Sequence, residues 1–165
     1  MKQNALIFIG IIAFVIIGFF ILNGGNNNPV TEAISASILE ATKSQFDFGT
    51  ISMKNGNVSY KFEVENNGSE SIVVEKVYTS CMCTTAKITD AQGKTYGPYG
   101  MPGHAGLSGI EVEINPGEKA IVEAIFDPAA HGPSGVGLAN RTVFLETNST
   151  QTPKIELNFT AMVTN

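Results

Sequence analysis

From residue 58 to residue 65 the chain reads Val-Ser-Tyr-Lys-Phe-Glu-Val-Glu, apolar and polar side chains in strict alternation. Successive side chains of an extended strand point to opposite faces, so this stretch suits a strand buried on one side only. The same period returns at Ile72 and Val74, at Ile110, Val112 and Ile114, and at Val122, Ala124 and Phe126. It returns again over residues 142–147 and at Ile155, Leu157, Phe159, Ala161 and Val163. Turn-forming runs, Asn66-Asn67-Gly68-Ser69 and Asn115-Pro116-Gly117-Glu118, punctuate the pattern. Residues 30–41 fit either a short helix or a strand, and a first strand is expected near Ala36. The sum is about seven to eight short strands with no convincing helix, which predicts an all-β fold, an antiparallel β-sandwich.

Residues 5–22 carry no charge and no strongly polar side chain. A run of about 18 apolar residues reaches the length of a membrane-spanning helix and exceeds the usual apolar stretch of a cleaved signal. Its exit, Phe20-Ile21-Leu22-Asn23-Gly24-Gly25, makes a poor cleavage pattern. Lys2 precedes the run and no basic residue follows until Lys43, which orients the N-terminus to the cytoplasm. The expectation is a single-pass membrane protein with one N-terminal transmembrane helix. Its parts are an anchor over 1–22, a flexible Asn- and Gly-rich linker over 23–35, and an extracytoplasmic domain over 36–165, in the periplasm or at the cell surface. Cleavage of the helix as a signal would export the domain equally. The net charge of −5 provides no basic stripe to displace phosphate counterions, which excludes nucleic acid as a partner. The partners that remain are the membrane, through the helix, and a protein of the cell envelope.

The chain has two cysteines and two histidines. Both cysteines fall in one tripeptide, Cys81-Met82-Cys83; a glycine-rich loop after it carries Met101 and His104, and His131 lies in a later turn. Thiolate, thioether and imidazole are ligands that copper and zinc accept. On a strand, Cys81 and Cys83 would face the same side and present two sulfurs together. Three readings of the pair stay open: metal ligands, a disulfide or redox pair, and inert core thiols. Across an extended tripeptide the Cα atoms stand about 6.5–7 Å apart, at the limit of disulfide geometry, so bridging would require the backbone to bend. As a metal site the set is Cys81 and Cys83 with Met101 or His104, and His131 a further candidate. Copper suits it better than zinc, which prefers histidine or thiolate to methionine. Met82, on the opposite face, reads as packing. No histidine follows the cysteines closely, so storage, delivery or sensing fits better than electron transfer.

The motifs together resemble a family of exported bacterial Ig-like domains of unknown function, related in architecture to ASH and major-sperm-protein sandwiches. The resemblance rests on Phe46-Asp47-Phe48-Gly49-Thr50-Ile51, Ser80-Cys81-Met82-Cys83-Thr84, Pro116-Gly117-Glu118, Phe126-Asp127-Pro128 and Thr147-Asn148. It implies an Ig-like sandwich over most of the domain, and neither an enzymatic activity nor a substrate. Two departures stand out: Met82 takes the place of the family's usual glycine, and the Gly/Pro/Tyr/His-rich insertion over 93–104 is longer than usual. The residues themselves offer no phosphate-cradling loop, no nucleophile-elbow serine and no paired carboxylates, so no enzyme is expected. The leading expectation is a membrane-anchored domain that binds a soft metal. Its rival is a non-catalytic interaction module of the envelope with structural or redox-active cysteines.

Overall fold

The structure, a computed structural model, describes residues 34–104 and 109–165. The chain divides into two units, 1–32 and 33–165, and the second is the sandwich. The expected anchor, and the linker up to residue 33, lie outside the described residues. Ser35 is already tied down, bridging Ser149 and donating from its backbone N–H to the Asn148 carbonyl at 3.1 Å.

Ten strands follow: β1 (Leu39–Ala41), β2 (Gln45–Ser52), β3 (Val58–Asn66), β4 (Ile72–Thr79), β5 (Thr84–Thr89), β6 (Thr95–Tyr99), β7 (Gly109–Ile114), β8 (Lys119–Phe126), β9 (Gly137–Thr147) and β10 (Lys154–Thr164). They form two five-stranded sheets, ordered β1-β3-β8-β5-β6 and β2-β10-β9-β4-β7. Only two short 3₁₀ turns, Met53–Asn55 and Gly132–Gly135, interrupt the strands among the described residues.

The alternation of β3 does what its sequence implies. Phe62 and Val64 are buried, and they meet Val122 and Ala120 of β8 in an antiparallel register. The facing sheet contributes Val74 and Val77 from β4, Leu145 from β9, and Leu157 and Phe159 from β10. Burying side chains of this size stabilises a fold by about 1.5–3 kcal/mol each before entropy is counted. In β4 the inward positions are Ile72, Val74, Val77 and Thr79, a break in the period of two. The pairing with β9 shifts between Val74 and Lys76, so a bulge absorbs the extra residue and returns Val77 to the core.

Two expectations need correction. Ten strands replace about seven to eight, the additional ones being β2, β5 and β6. Strand β5, Thr-Thr-Ala-Lys-Ile-Thr, buries Thr84, Ala86 and Ile88, a core face with one large apolar residue and therefore a faint signal. Strand β6 lies within the insertion, which reads as a loop for its glycines and proline but pairs with β5 at the sheet edge. The sandwich is also not wholly antiparallel, because β2 runs parallel to β10 with Phe46 opposite Phe159. Strands from distant parts of the chain can pair in either sense, and no short turn forces these two to be antiparallel.

Candidate functional site

Strand β4 belongs to one sheet and β5 to the other, so Ser80–Cys83 is the link that carries the chain across the end of the sandwich. The cysteines therefore occupy a turn and not a strand. The Thr84 N–H donates to the Cys81 carbonyl at 3.1 Å, which closes the turn. Within the same link the buried Thr79 hydroxyl shares its proton between the carbonyls of Cys81, at 3.0 Å, and Thr84, at 2.9 Å. The Ser80 N–H and hydroxyl oxygen bond to the Thr142 backbone at 2.9 Å each, fastening the link to β9.

Bending the chain brings the sulfurs together. Cys81 Sγ and Cys83 Sγ lie 2.7 Å apart, with both thiols free. Cys83 is buried and Cys81 half-buried. The geometric objection to bridging, an extended tripeptide, does not apply to this turn.

Two further side chains reach the sulfurs. Strand β8 ends at Phe126 opposite Thr84, and the Asp127 N–H donates to the Cys83 carbonyl at 2.9 Å. The turn that follows is wound by Ala129 N–H to Asp127 Oδ1 at 2.9 Å and Gly132 N–H to the Ala129 carbonyl at 2.9 Å. That winding places His131 Nε2 3.2 Å from Cys81 Sγ. Strand β9 returns past the same end, and its Arg141 Nε–H donates to Cys83 Sγ at 3.0 Å.

These neighbours make the two thiols unequal. Burial pushes the Cys81 thiol up. It is outweighed by donation from the Cys83 thiol and backbone N–H, by His131 and by the Arg141 charge, which bring it down from 9.0 to about 7. Burial pushes the Cys83 thiol up as well, and donating its proton to Cys81 pushes it further; Arg141 and Thr84 oppose this without reversing it. Cys81 is the accessible thiolate and Cys83 the buried proton-bearing partner.

Of the residues singled out in the sequence, Cys81, Cys83 and His131 come together, their ligand atoms all within 4.8 Å of one another. His104 is exposed and outside that group, in a turn closed by its own N–H to the Met101 carbonyl at 3.0 Å. Met101 is half-buried, one residue past Gly100, whose carbonyl accepts from the Thr79 N–H at 3.3 Å. Met82 is 52% exposed beside the sulfurs. Arg141 is the residue that sequence reasoning missed, although a signal existed: among ten basic residues it is the sole arginine.

The donor set can be tested against a metal. Two thiolates at a tetrahedral ion with bonds of about 2.3 Å stand about 3.7 Å apart, whereas a disulfide bond is about 2.05 Å long. The two sulfurs are adjacent in this turn, so bridging needs no unfolding of the link and chelation needs the sulfurs to stand apart. Opening by about 1 Å would admit an ion to two sulfurs and one imidazole.

With the fold and this geometry in view, the chain is similar over residues 39–96 to a family described as a protein of unknown function, DUF1573. No curated protein matches it. Among solved structures it is similar to a protein of unknown function from Porphyromonas gingivalis W83, at 18% identity and a TM-score of 0.57, over 82% of this chain and 51% of that one. The chain thus spans about half the length of that structure. An ASH/PapD-like domain of human CEP192 aligns at 16% identity and a TM-score of 0.45, over 86% of this chain and 94% of that one. What the chain shares with the first of these is the fold: a two-sheet β-sandwich, here with a Cys-Cys-His group at one end.

Proposed function

We propose that this is an exported β-sandwich domain, held to the membrane by residues 1–22, whose Cys81–Cys83 turn is a redox-active dithiol. The observation that carries this reading is that one bent tripeptide sets the sulfur of an accessible thiol, lowered in pKa, beside that of a buried thiol, raised in pKa. Cys81 thiolate is the attacking group and Cys83 the resolving one. The pair reacts once and must then be reset, in keeping with a non-catalytic domain that exchanges electrons with a partner in the envelope. The test is peptide mass analysis of the full chain after exposure to a disulfide oxidant. The peptide between Lys76 and Lys87 should lose two hydrogen atoms and regain them under a mild thiol. Bridges formed only between chains, or a pair that resists oxidation, would end the reading.

A second reading rests on a different observation, the placement of His131 Nε2 3.2 Å from Cys81 Sγ. Reduced, Cys81, Cys83 and His131 supply a soft three-coordinate set suited to Cu(I), for storage, delivery or sensing, with zinc less well served. Met101 or His104 would complete the set, His104 only through movement of its loop, since it lies outside the group. Chelation and the disulfide use the same sulfurs, so only the reduced pair holds the ion. Cu(I) titration of the reduced full chain should reach one equivalent. Replacing both cysteines with serine should abolish binding, and His131→Ala should weaken it.

A further inference from the structure

Beside the dithiol turn a cleft of about 700 Å³ opens against β2, β10 and β9. Ser80, the residue before Cys81, lines it, and so does Arg141, the residue bonded to Cys83 Sγ. The cleft and the sulfurs thus share one side chain. A volume of this order suits a small molecule rather than a protein segment.

The cleft is rich in donors. Its charged groups are Lys43 and Arg141 against one carboxylate, Asp47. Asp47 Oδ1 is already engaged by the Gly49 N–H at 2.9 Å and the Thr160 hydroxyl at 3.0 Å, which hold its carboxyl below the usual range. Asn158 Oδ1 accepts from the Thr142 hydroxyl at 2.7 Å, which turns its NH₂ group outward as a donor. The Asn158 amide therefore offers a donor, while the exposed amides of Gln45 and Asn140 can turn either a donor or an acceptor to a ligand. Two cations against one engaged carboxylate, with the Asn158 NH₂ beside them, call for a ligand that is negatively charged and accepts hydrogen bonds.

We infer that the oxidant of the Cys81–Cys83 pair is a low-molecular-weight disulfide bearing carboxylates, seated in this cleft with its carboxylates toward Lys43, Arg141 and the amides. This rests on the dithiol reading and names its substrate class. Cys81 thiolate attacks one sulfur of the bound disulfide, forming a mixed disulfide and releasing one small thiolate. Cys83 then gives up its proton and attacks Cys81 Sγ, closing the Cys81–Cys83 bridge and expelling the second small thiolate. The two protein thiols lose two electrons and two protons, and one disulfide becomes two thiols.

The test measures oxidation of the reduced full chain by oxidised glutathione, by neutral 2-hydroxyethyl disulfide and by cationic cystamine. Each rate is divided by the rate of the same reagent with the urea-unfolded chain, which has the same thiols but no cleft. Scaled in this way, oxidised glutathione should lead the neutral reagent by about tenfold and cystamine should trail it, as electrostatic focusing in a cleft provides. The lead should shrink with added salt, and in Lys43→Gln and Asn140→Ala chains. Equal scaled rates for all three reagents would overturn the inference and leave the dithiol standing. Failure of every reagent to close the bridge would overturn the dithiol reading and the inference with it.

Discussion

Arg141 Nε lies 3.0 Å from Cys83 Sγ, and the same guanidinium donates through Nη1 to the Asn140 carbonyl at 2.8 Å. Its Cζ stands 5.9 Å from the centre of the Phe126 ring. The cation is held in place by backbone and aromatic contacts and is brought to the sulfurs by β9. A lysine could supply charge here, but not a planar donor fixed in direction.

The Cys81 thiol should accordingly ionise with a midpoint near 7. Alkylation of the reduced chain by iodoacetamide should rise with pH and reach half its limit there, well below the ordinary value of 9.0. The sign for stability follows from the depressed folded value. The thiolate's contribution is full above the unfolded pKa and is lost as pH falls through about 7. Arg141→Leu should move the alkylation midpoint upward, and Arg141→Lys should recover part of the shift. A midpoint unmoved by either change would show that the guanidinium does not act on the pair.

Single cysteine variants should behave unequally. With Cys83→Ser, Cys81 keeps its exposure and lacks a resolving thiol, so a disulfide reagent should leave a mixed disulfide that persists. With Cys81→Ser, the remaining thiol stays buried, and burial, the largest cause of its raised pKa, persists without Cys81, so modification at pH 7 should be slower by about tenfold or more. Mass analysis over time reads both outcomes. Equal rates would remove the assignment of roles.

Most of this fold was legible because burial on one face leaves a period of two in the sequence, as in Tyr60, Phe62 and Val64. Strand β5 was not, since Thr84 and Ala86 occupy core positions without the hydrophobicity that marks them. The site depended on that missing strand. Without β5 paired to β8, nothing in the sequence brings residue 131 to residue 81, and nothing shows the tripeptide as a crossing between sheets. The cysteines themselves were legible from scarcity, and so was Arg141 had the same rule been applied to it. Distances between sulfur, imidazole and guanidinium are set by tertiary pairing, which local pattern does not encode.

Asn66 tests the frame independently of the sulfurs. It is fully buried, and its NH₂ group donates to the carbonyls of Glu70 and Ile114 at 2.8 Å each, while its Oδ1 accepts from the Gly68 N–H at 3.0 Å. Asn66→Ala would strand three backbone groups, each costing about 1–3 kcal/mol when buried without a partner. Partial rescue by water leaves an expected loss of about 2–4 kcal/mol in urea unfolding. Asn66→Asp should fare no better, because both donors are replaced by an oxygen facing two carbonyls.

Gly68 governs how the start of the domain is held. A Cβ there would meet Ser37, with the Ser37 Cα at 2.6 Å and its Cβ and Oγ closer still. Ser37 Oγ accepts from the Glu70 N–H at 2.7 Å, and its carbonyl accepts from the Ser149 hydroxyl at 2.5 Å. The obstacle includes backbone, so Gly68→Ala cannot be accommodated by turning a side chain. The segment from Ser35 must move and give up these bonds, at an expected cost of about 1–3 kcal/mol. Amide exchange should therefore accelerate in residues 35–39 and at Glu70, while the alkylation midpoint of Cys81, at the crossing between β4 and β5, stays in place. A Gly68→Ala chain with unchanged exchange over 35–39 would show that Ser37 does not sit against this turn in solution.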